Sequence, residues 1–393
     1  MKVGVVRESF PGERRVAVIP ASVAALKKAG LDVVVEPGAG EAAGFDDDAY
    51  RQQGATIVAS RQEVFDQADV LLQIRAAGAN PDEAERDVAA LRSGQTLISL
   101  CNPLGQPEWM QKLAERGVTV FALELLPRTT RAQSMDVLSS MATVSGYKAV
   151  LLAATTLPRM FPMLMTAAGT ITPARVFVVG AGVAGLQAIA TAKRLGAVVR
   201  AYDIRPAAKE EAVSLGAKFV ELELETEDAE QKGGYAKEMG EDFYRRQREL
   251  MARVLAESDV VITTASVPGK KAPVLITREM VESMAAGSVI VDLAAEQGGN
   301  CELTRPNETI VEHGVTILGA VNLPATVPNH ASQMYSKNIT TFLLHLVQDG
   351  AVRIDEQDEI TIETLVARDG EVVNARVREM LGLENLAELG EAR

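Results

Sequence analysis

The chain has 393 residues, with 53 acidic against 40 basic side chains and a formal net charge of −13. At roughly 150 residues per domain, this length predicts two or three domains. The composition, 47% hydrophobic and 24% charged, is typical of a globular protein with a large core and excludes a mainly disordered or collagen-like chain. Because no block of basic residues occurs, nucleic acid is not expected as a partner.

Metal sites, export signals and membrane spans are also not expected. Cys101 and Cys301 lie far apart without ligand spacing, so the sequence predicts no metal site and suits a reducing compartment. The opening residues have a strand pattern instead of the pattern of a signal peptide. The apolar stretch 149–171 is interrupted by two prolines and a glycine, so it does not predict a direct membrane span.

Short β-branched runs alternate with helical patterns from the start of the chain. This alternation is typical of βαβ units and parallel sheets. A first series of strands is predicted at residues 3–6, 32–35, 70–74, 96–100 and 118–122, with helices at 21–29 and 107–116. A second series of strands is predicted at residues 175–179, 198–202, 218–220, 260–264, 288–292 and 315–318.

Two helical patterns connect the two series. Residues 128–157 lack proline and have apolar side chains at helical spacing, which predicts a long connecting helix. Residues 339–347 follow the same spacing and predict a helix that returns to the first domain. The predicted fold class is therefore α/β, with two doubly wound, Rossmann-like domains separated by a cleft and the first domain discontinuous. We place a flavodoxin-like domain at 1–136 plus 330–393 and a Rossmann domain at 137–329.

A turn signal lies close to the end of the chain. Asp369-Gly370, between two apolar runs, predicts a hairpin with a type I′ turn. Such a hairpin is either a surface ribbon or an element that pairs with a second subunit, and the sequence leaves both open.

The strand at 176–179 leads into the glycine-rich turn Gly180-Ala181-Gly182-Val183-Ala184-Gly185 and then a helical pattern. In this context, Gly180 permits a tight turn, Gly182 lets the backbone approach a pyrophosphate, and Gly185 allows close packing of helix on strand. The phosphates would lie at the helix N-terminus. The sequence thus predicts a dinucleotide site, the alternative being a glycine turn that binds nothing.

The next predicted strand ends at Asp203. A carboxylate at this position accepts hydrogen bonds from the adenine-ribose hydroxyls and repels a 2′-phosphate, which favours NAD over NADP. Arg205 complicates this prediction, because an arginine there is able to bind a 2′-phosphate instead.

Polar residues precede and begin the connecting helix. Gln133, Asp136 and Ser139 are spaced by three and share one face if the helix has already begun, with Arg128 just before it. Such a face can bind a nicotinamide carboxamide and ribose, and Arg128 and Asp136 can exchange an ion pair for cofactor contacts. The alternative is a helical first turn with a capping acid.

A polar insertion with six acids, residues 221–230, precedes Gly233-Gly234-Tyr235. A long insertion with a double glycine inside a Rossmann-like unit is often a lid, so a closing loop is predicted. A solvated acidic loop without a role is the competing interpretation.

Several segments together carry a family resemblance: 128–140, the turn 180–185, 233–237, 268–270 and 287–293. Over nearly the whole chain, the sequence resembles the alanine dehydrogenase and transhydrogenase α-subunit family. Within it, the chain is most similar to the NAD(H)-binding subunit of proton-translocating NAD(P) transhydrogenases.

The resemblance implies direct hydride transfer between NAD(H) on this chain and NADP(H) on a partner subunit, coupled to proton movement through a membrane domain on other chains. It further implies a homodimer in the cytoplasm, held at the inner face of the membrane by its partners. The implied catalytic and cofactor-binding residues are Arg128, Gln133, Asp136 and Ser139. The implied cofactor-binding residues also include Gly180, Gly182, Val183, Gly185, Asp203, Ile204, Arg205, Gly234, Tyr235, Gln247 and Ser266.

An alanine dehydrogenase-like enzyme is the alternative. That branch of the family has a histidine after the strand predicted at 96–100, whereas this chain has Cys101 and Asn102 there. Arg15 and Arg75 correspond to the cations that grip its substrate, but they cannot run a deamination without a proton-transfer group. Glu296, where that branch has an aspartate, keeps the alternative open. A non-catalytic NAD-binding module is a third hypothesis.

Overall fold

The computed structural model of this chain describes residues 1–221, 230–231, 235–236, 241–266 and 269–384; at 230–231, 235–236 and 241–244 only the backbone is described. The chain divides into two compact units, Met1–Met141 with Pro324–Arg393, and Ala142–Leu323. The first unit is therefore built from two separate stretches of the chain. Its boundaries lie five or six residues from those placed by sequence, because the connecting helix contributes its first turn to the first unit.

The chain opens with strands and helices in alternation, and proline or a capping side chain begins most of the helices. Ser60, for example, accepts a hydrogen bond from the Glu63 N–H and so satisfies a free donor of its helix. The elements are β1 (Lys2–Val5), α1 (Pro20–Lys28), β2 (Asp32–Val35), α2 (Asp47–Gln52), β3 (Thr56–Ile57), α3 (Arg61–Gln67), β4 (Val70–Arg75), α4 (Pro81–Ala90), β5 (Thr96–Leu100), α5 (Pro107–Glu115) and β6 (Thr119–Ala122).

Helix α6 (Val137–Thr156) is the predicted connecting helix, although it begins later than residue 128. By length and composition alone, it is the one helix in the described part of the chain that is apolar enough to cross a membrane. Core helices pass the same test, and Ala149, Val150 and Ala153 of α6 are fully buried in the core of the second unit. Packing therefore accounts for the apolar character of this end of α6.

The second unit continues with a small hairpin and a second alternating series. Its elements are β7 (Leu164–Thr166), β8 (Gly169–Ile171), β9 (Arg175–Val179), α7 (Val183–Arg194), β10 (Val198–Tyr202), α8 (Ala207–Ser214), β11 (Lys218–Phe219), β12 (Glu230–Gln231), β13 (Tyr235–Ala236), α9 (Glu241–Ala256), β14 (Val260–Thr263), α10 (Arg278–Glu282), β15 (Val289–Asp292), β16 (Thr309–Glu312) and β17 (Val315–Gly319).

The last part of the chain returns to the first unit. It forms α11 (Pro328–Leu346), β18 (Val347–Gln348), β19 (Ala351–Val352), α12 (Glu359–Thr364), β20 (Leu365–Arg368), β21 (Glu371–Val372) and α13 (Ala375–Met380). The predicted hairpin is confirmed as β20–β21. Asp369 and Gly370 both have positive φ, 52° and 86°, as a type I′ turn requires. Strand β20 pairs with β6, so the hairpin extends the sheet of its own unit.

The sheet of the first unit has the order β21-β20-β6-β5-β4-β1-β2-β3. Its six parallel strands follow the 3-2-1-4-5-6 order, so the expectation of a flavodoxin-like domain, which has the order 2-1-3-4-5, is wrong. The physical reason is the two-residue edge strand β3, which is too short to produce a periodic signal. Without β3, the remaining strands count as 2-1-3-4-5.

The sheet of the second unit has the order β11-β10-β9-β14-β15-β17-β16, in which only β16 is antiparallel. Strand order reverses between β9 and β14, which makes the carboxyl ends of these two strands the topological switch point. Both faces of the sheet are covered. Val176 and Val178 face one core cluster, whereas Phe177 and Val179 face another. The predicted α/β class with two Rossmann-like sheets is confirmed.

Candidate functional site

The glycine-rich turn follows β9 at the switch point. Gly180 has φ 96°, a conformation that side-chain-bearing residues rarely adopt. A Cβ atom at Gly180 would lie 2.5 Å from Thr264 Oγ1, and a Cβ at Gly185 would lie 1.8 Å from the Gly180 carbonyl oxygen. These two glycines are therefore required by the fold of the turn itself.

Gly182 differs from the other two glycines, because among the described residues a Cβ at this position would meet only a guanidinium nitrogen of Arg205, at 3.9 Å. The space in front of Gly182 is open. Helix α7 begins at Val183, and no side chain of the described residues caps its N-terminus. Free backbone N–H groups, a positive helix end and an open approach suit a pyrophosphate, so this turn fits a dinucleotide.

Asp203 lies directly after β10 and is held by four N–H donors. Its Oδ2 accepts from the Ala181 N–H of the glycine turn at 2.7 Å and from Arg205 Nη2 at 2.8 Å. Its Oδ1 accepts from the Arg205 backbone N–H at 2.8 Å and from Arg205 Nε at 2.9 Å. The carboxylate therefore binds the glycine turn and forms a two-pronged ion pair with Arg205.

The remaining candidates of this unit lie on neighbouring elements. Gln247 of α9 is buried and donates from Nε2 to the Tyr202 hydroxyl at 2.9 Å, next to Asp203. Ile204 is half-buried, whereas Ser266, after β14, is exposed. Gly234 lies outside the described residues. Tyr235 belongs to β13 by its backbone, and its side chain lies outside the description.

Asp292 is a residue that sequence reasoning quoted without assigning it a role. It ends β15 and is fully buried, and its carboxylate accepts hydrogen bonds from Thr263 Oγ1, the Ala294 N–H, the Asn300 N–H, the Cys301 N–H and Thr304 Oγ1 at 2.7–3.0 Å. Asn300 in turn binds both the N–H and the carbonyl oxygen of Ala265, at 3.0 and 2.8 Å. This chain of hydrogen bonds positions the segment that carries Ser266.

Gly146 of α6 is a second such residue. A Cβ atom there would lie 2.0 Å from the carbonyl oxygen of Ala184, in the first turn of α7. Glycine thus lets α6 pack against the start of the helix that follows the glycine turn. A lone glycine within a helical pattern indicates close packing, but it does not identify the partner.

Replacing Gly146 with alanine is expected to lower the free energy of unfolding by about 1–3 kcal/mol, the usual cost of overpacking a core. The added methyl group meets backbone, which cannot move aside as a flexible side chain can. Thermal unfolding followed by circular dichroism measures the effect. Gly182→Ala is the matched control, since its Cβ enters open space; equal unfolding temperatures for the two variants would contradict the packing argument.

The polar residues near the connecting helix do not share one helical face as predicted. Gln133 belongs to a short 3₁₀ turn, Gln133–Met135, and α6 starts only at Val137. Asp136 is the N-terminal cap of α6, because its carboxylate accepts from the Ser139 N–H at 2.9 Å and from Ser139 Oγ at 2.5 Å. Of the three, only Ser139 is helical. Gln133 and Arg128 are both exposed.

The segment from Arg128 to Ser139 is anchored to the returning part of the first unit. Met135 is buried, and Asn338 Nδ2 of α11 donates to the Ser134 carbonyl oxygen at 2.9 Å. Arg131 forms an ion pair with Asp358, which also binds His345 Nε2 at 2.8 Å. Burial and the Arg131 charge lower the pKa of His345. Anchoring leaves the exposed polar side chains of this segment for a ligand.

The carboxyl ends of β4 and β5 are each held by a buried glutamate. Glu8 accepts from the Ile74 and Arg75 N–H groups at 2.7 and 3.2 Å. Glu124 accepts from the Cys101 and Asn102 N–H groups at 2.7 and 2.6 Å. Burial is the largest cause of the raised pKa of both carboxyl groups, to about 8 for Glu8 and about 7 for Glu124. Neither glutamate has a distinctive signal in the sequence.

The two cations that correspond to substrate-binding residues both have internal partners. Arg15 is buried and forms a two-pronged ion pair with Glu13 at 2.6–2.8 Å. The Arg75 guanidinium lies over the Phe10 ring, 4.3 Å from its centroid. Buried Glu13 thus neutralises Arg15, whose charge is not available for a substrate carboxylate in this arrangement.

The histidines lie away from the end of β5. His313 pairs with Glu282, His345 pairs with Asp358, and His330 is exposed in the first turn of α11. Among the described residues, no group of three or more His, Cys, Asp and Glu is arranged to hold a metal ion.

Each unit brings together some of the predicted site residues. In the second unit, Gly180, Gly182, Val183, Asp203 and Arg205 lie together at the carboxyl ends of β9 and β10, and Thr264 links the turn to the segment of Ser266. In the first unit, Asp136 and Ser139 form one capping pair, and Arg128 and Gln133 lie in the segment leading to it.

Comparison with known proteins agrees over both units. Residues 4–145 match the family model "Alanine dehydrogenase/PNT, N-terminal domain", and residues 149–375 match its C-terminal counterpart. The chain is 47% identical over 377 residues to the first of the chains that make up NAD(P) transhydrogenase subunit alpha in Rhodospirillum rubrum, covering 95% of this chain and 98% of that protein.

Two further relatives represent both branches. A crystal structure of transhydrogenase from Sinorhizobium meliloti has a TM-score of 0.82 and 43% identity, covering 95% of this chain and 99% of that one. Alanine dehydrogenase of Halomonas elongata is 31% identical over 391 residues, covering 98% of each chain. The chain therefore belongs to the alanine dehydrogenase/PNT family.

Proposed function

We propose that this chain is the NAD(H)-binding component of a proton-translocating NAD(P) transhydrogenase. When bound, the dinucleotide supplies a hydride, which passes directly between NAD(H) on this chain and NADP(H) on a partner subunit. The names of the more similar relatives support this branch, at 47% identity against 31% for an alanine dehydrogenase. Their designation as a subunit supports partner chains.

The observation that carries the proposal is the end of β5. Cys101 and Asn102 lie where an alanine dehydrogenase has its histidine, and their N–H groups are bound by the buried Glu124. Oxidation of an amino acid needs a group that exchanges a proton with the substrate, whereas hydride transfer between two nicotinamides needs none. Orientation and exclusion of water then suffice for catalysis.

The residues of the chain divide into those for the two ends of the dinucleotide. The Gly180–Gly185 turn and the N-terminus of α7 bind the pyrophosphate, and Asp203, Ile204, Arg205, Gln247 and Ser266 bind the adenosine side. Arg128, Gln133, Asp136 and Ser139 bind and orient the nicotinamide end. The segment with Gly234 and Tyr235 closes over the dinucleotide as a lid.

The chain acts in the cytoplasm as a homodimer, joined to the inner face of the membrane through its partner subunits. Proton movement takes place in a membrane domain on those chains. The β7–β8 hairpin supports a dimer, because residues 160–174 carry no charge and Met163, Met165 and Ile171 are exposed, Met165 by 78%. A solution mass equal to the single chain of 41.9 kDa would contradict the dimer.

The test is nicotinamide exchange with and without a partner. The purified chain is expected to bind NADH alone, but to reduce an NADP analogue with NADH only after an NADP-binding transhydrogenase subunit is added. Each nucleotide is followed by its absorbance. A chain whose Gln133 is replaced by alanine should bind the partner but transfer hydride more slowly, since its amide orients the nicotinamide end.

Two outcomes favour the other hypotheses. NADH formation from NAD and alanine by the chain alone would identify an alanine dehydrogenase-like enzyme and overturn the proposal. NADH binding without transfer, in the presence of a partner that is active with another transhydrogenase, would favour a non-catalytic module.

A further inference from the structure

The Asp203 carboxylate is fully used within the protein. Two of its four donors are backbone N–H groups, of Ala181 and Arg205, and the other two belong to the Arg205 side chain. A carboxylate has about four acceptor positions, so none remains for the hydroxyls of a ribose. The backbone donors are fixed by the glycine turn and by the end of β10. Only the Arg205 side chain can give way.

The Arg205 guanidinium faces the dinucleotide side of the turn. In the described part of the chain, one of its nitrogens is the sole atom within 4 Å of a Cβ built at Gly182, the position where the pyrophosphate approaches. Its side chain is 19% exposed, against 6% for that of Asp203. A planar guanidinium at this place has the geometry to bind a phosphate through two N–H groups.

We propose that Arg205 is a cation for a 2′-phosphate that Asp203 keeps neutralised, so that the coenzyme specificity of this chain depends on one carboxylate. This inference rests on the proposed NAD(H) site. With Asp203 present, the 2′-phosphate meets an anion and the guanidinium is held by that anion. Without the Asp203 charge, Arg205 is released toward the phosphate and the repulsion is removed. The sequence contains both residues but does not reveal that they bind each other.

The test measures the dissociation constants of NADH and NADPH by titration calorimetry, with no enzymatic reaction involved. Asp203→Asn is expected to tighten NADPH binding at least about tenfold and to weaken NADH binding. The double variant Asp203→Asn, Arg205→Ala should lose that gain. Asp203→Ser is a second form of the first change, in case asparagine perturbs the turn. Arg200→Ala is the matched control, because Arg200 lies on the same strand and pairs with Glu257 at the surface.

The outcomes separate this inference from the proposed function. If the unaltered chain binds NADH but neither Asp203 variant gains NADPH affinity, the masked cation is overturned while the NAD(H) site stands. A gain that persists in the double variant would show that Arg205 is not its source and would also overturn the inference. If the unaltered chain does not bind NADH at all, both proposals fail.

Discussion

Replacing Asp292 with asparagine is expected to lower the free energy of unfolding by about 3 kcal/mol, because each buried donor left without a partner costs about 1–3 kcal/mol. The carboxylate accepts five hydrogen bonds, with donors on both oxygens. An asparagine keeps only one oxygen, and its amide N–H groups would point at the donors that the other oxygen now accepts. Urea unfolding followed by circular dichroism measures the loss.

The same variant is expected to weaken NADH binding, since Asn300 and Ala265 position the segment of Ser266. Glu257→Gln is the control for the removal of one negative charge. It breaks only a surface ion pair with Arg200 and should change stability little. An Asp292→Asn protein as stable as Glu257→Gln would show that the hydrogen-bond network does not stabilise the unit.

Stability is expected to fall as pH rises from 5 to 8, and Glu8→Gln is expected to remove most of this fall. In the folded protein, burial raises the pKa of Glu8 from 4.5 to about 8, so the carboxyl keeps its proton where the unfolded chain has lost it. A group with a raised folded-state pKa stabilises fully below its unfolded pKa and loses that contribution up to its folded pKa. At about 1.4 kcal/mol per unit, Glu8 alone accounts for roughly 3 kcal/mol.

The measurement is urea unfolding at several pH values, followed by the fluorescence of the single tryptophan, Trp109, which is buried in the core of the first unit. Glu124 acts with the same sign up to a pKa of about 7, so a smaller slope should remain in the Glu8→Gln protein. Glu115→Gln, an exposed position on α5, is the control. An identical slope in Glu8→Gln and the unaltered chain would show that Glu8 is ionised throughout.

Local signals in the sequence suffice for much of the second unit. The glycine turn, its strand and helix, and the acid after the next strand all depend on neighbours in the chain, and the structure has them as predicted. The Asp369-Gly370 turn is predictable for the same reason, because the positive φ of both residues is a local requirement. Strand β3 escapes prediction because two residues have no periodicity, and the predicted order of the first sheet is wrong as a result.

What only the tertiary structure decided concerns contacts between residues distant in sequence. Asp136 and Ser139 are visible as a pair, but whether the helix has begun before Gln133 depends on how the preceding segment packs on α11. The packing of Gly146 on Ala184, the five donors around Asp292, and the amides held by Glu8 and Glu124 join segments up to 67 residues apart. Composition and motifs determined the family of folds and the nucleotide turn, because these depend on local backbone geometry. The surroundings of the buried charges depended on the complete fold, because desolvation and hydrogen bonding are set by neighbours that no local pattern specifies.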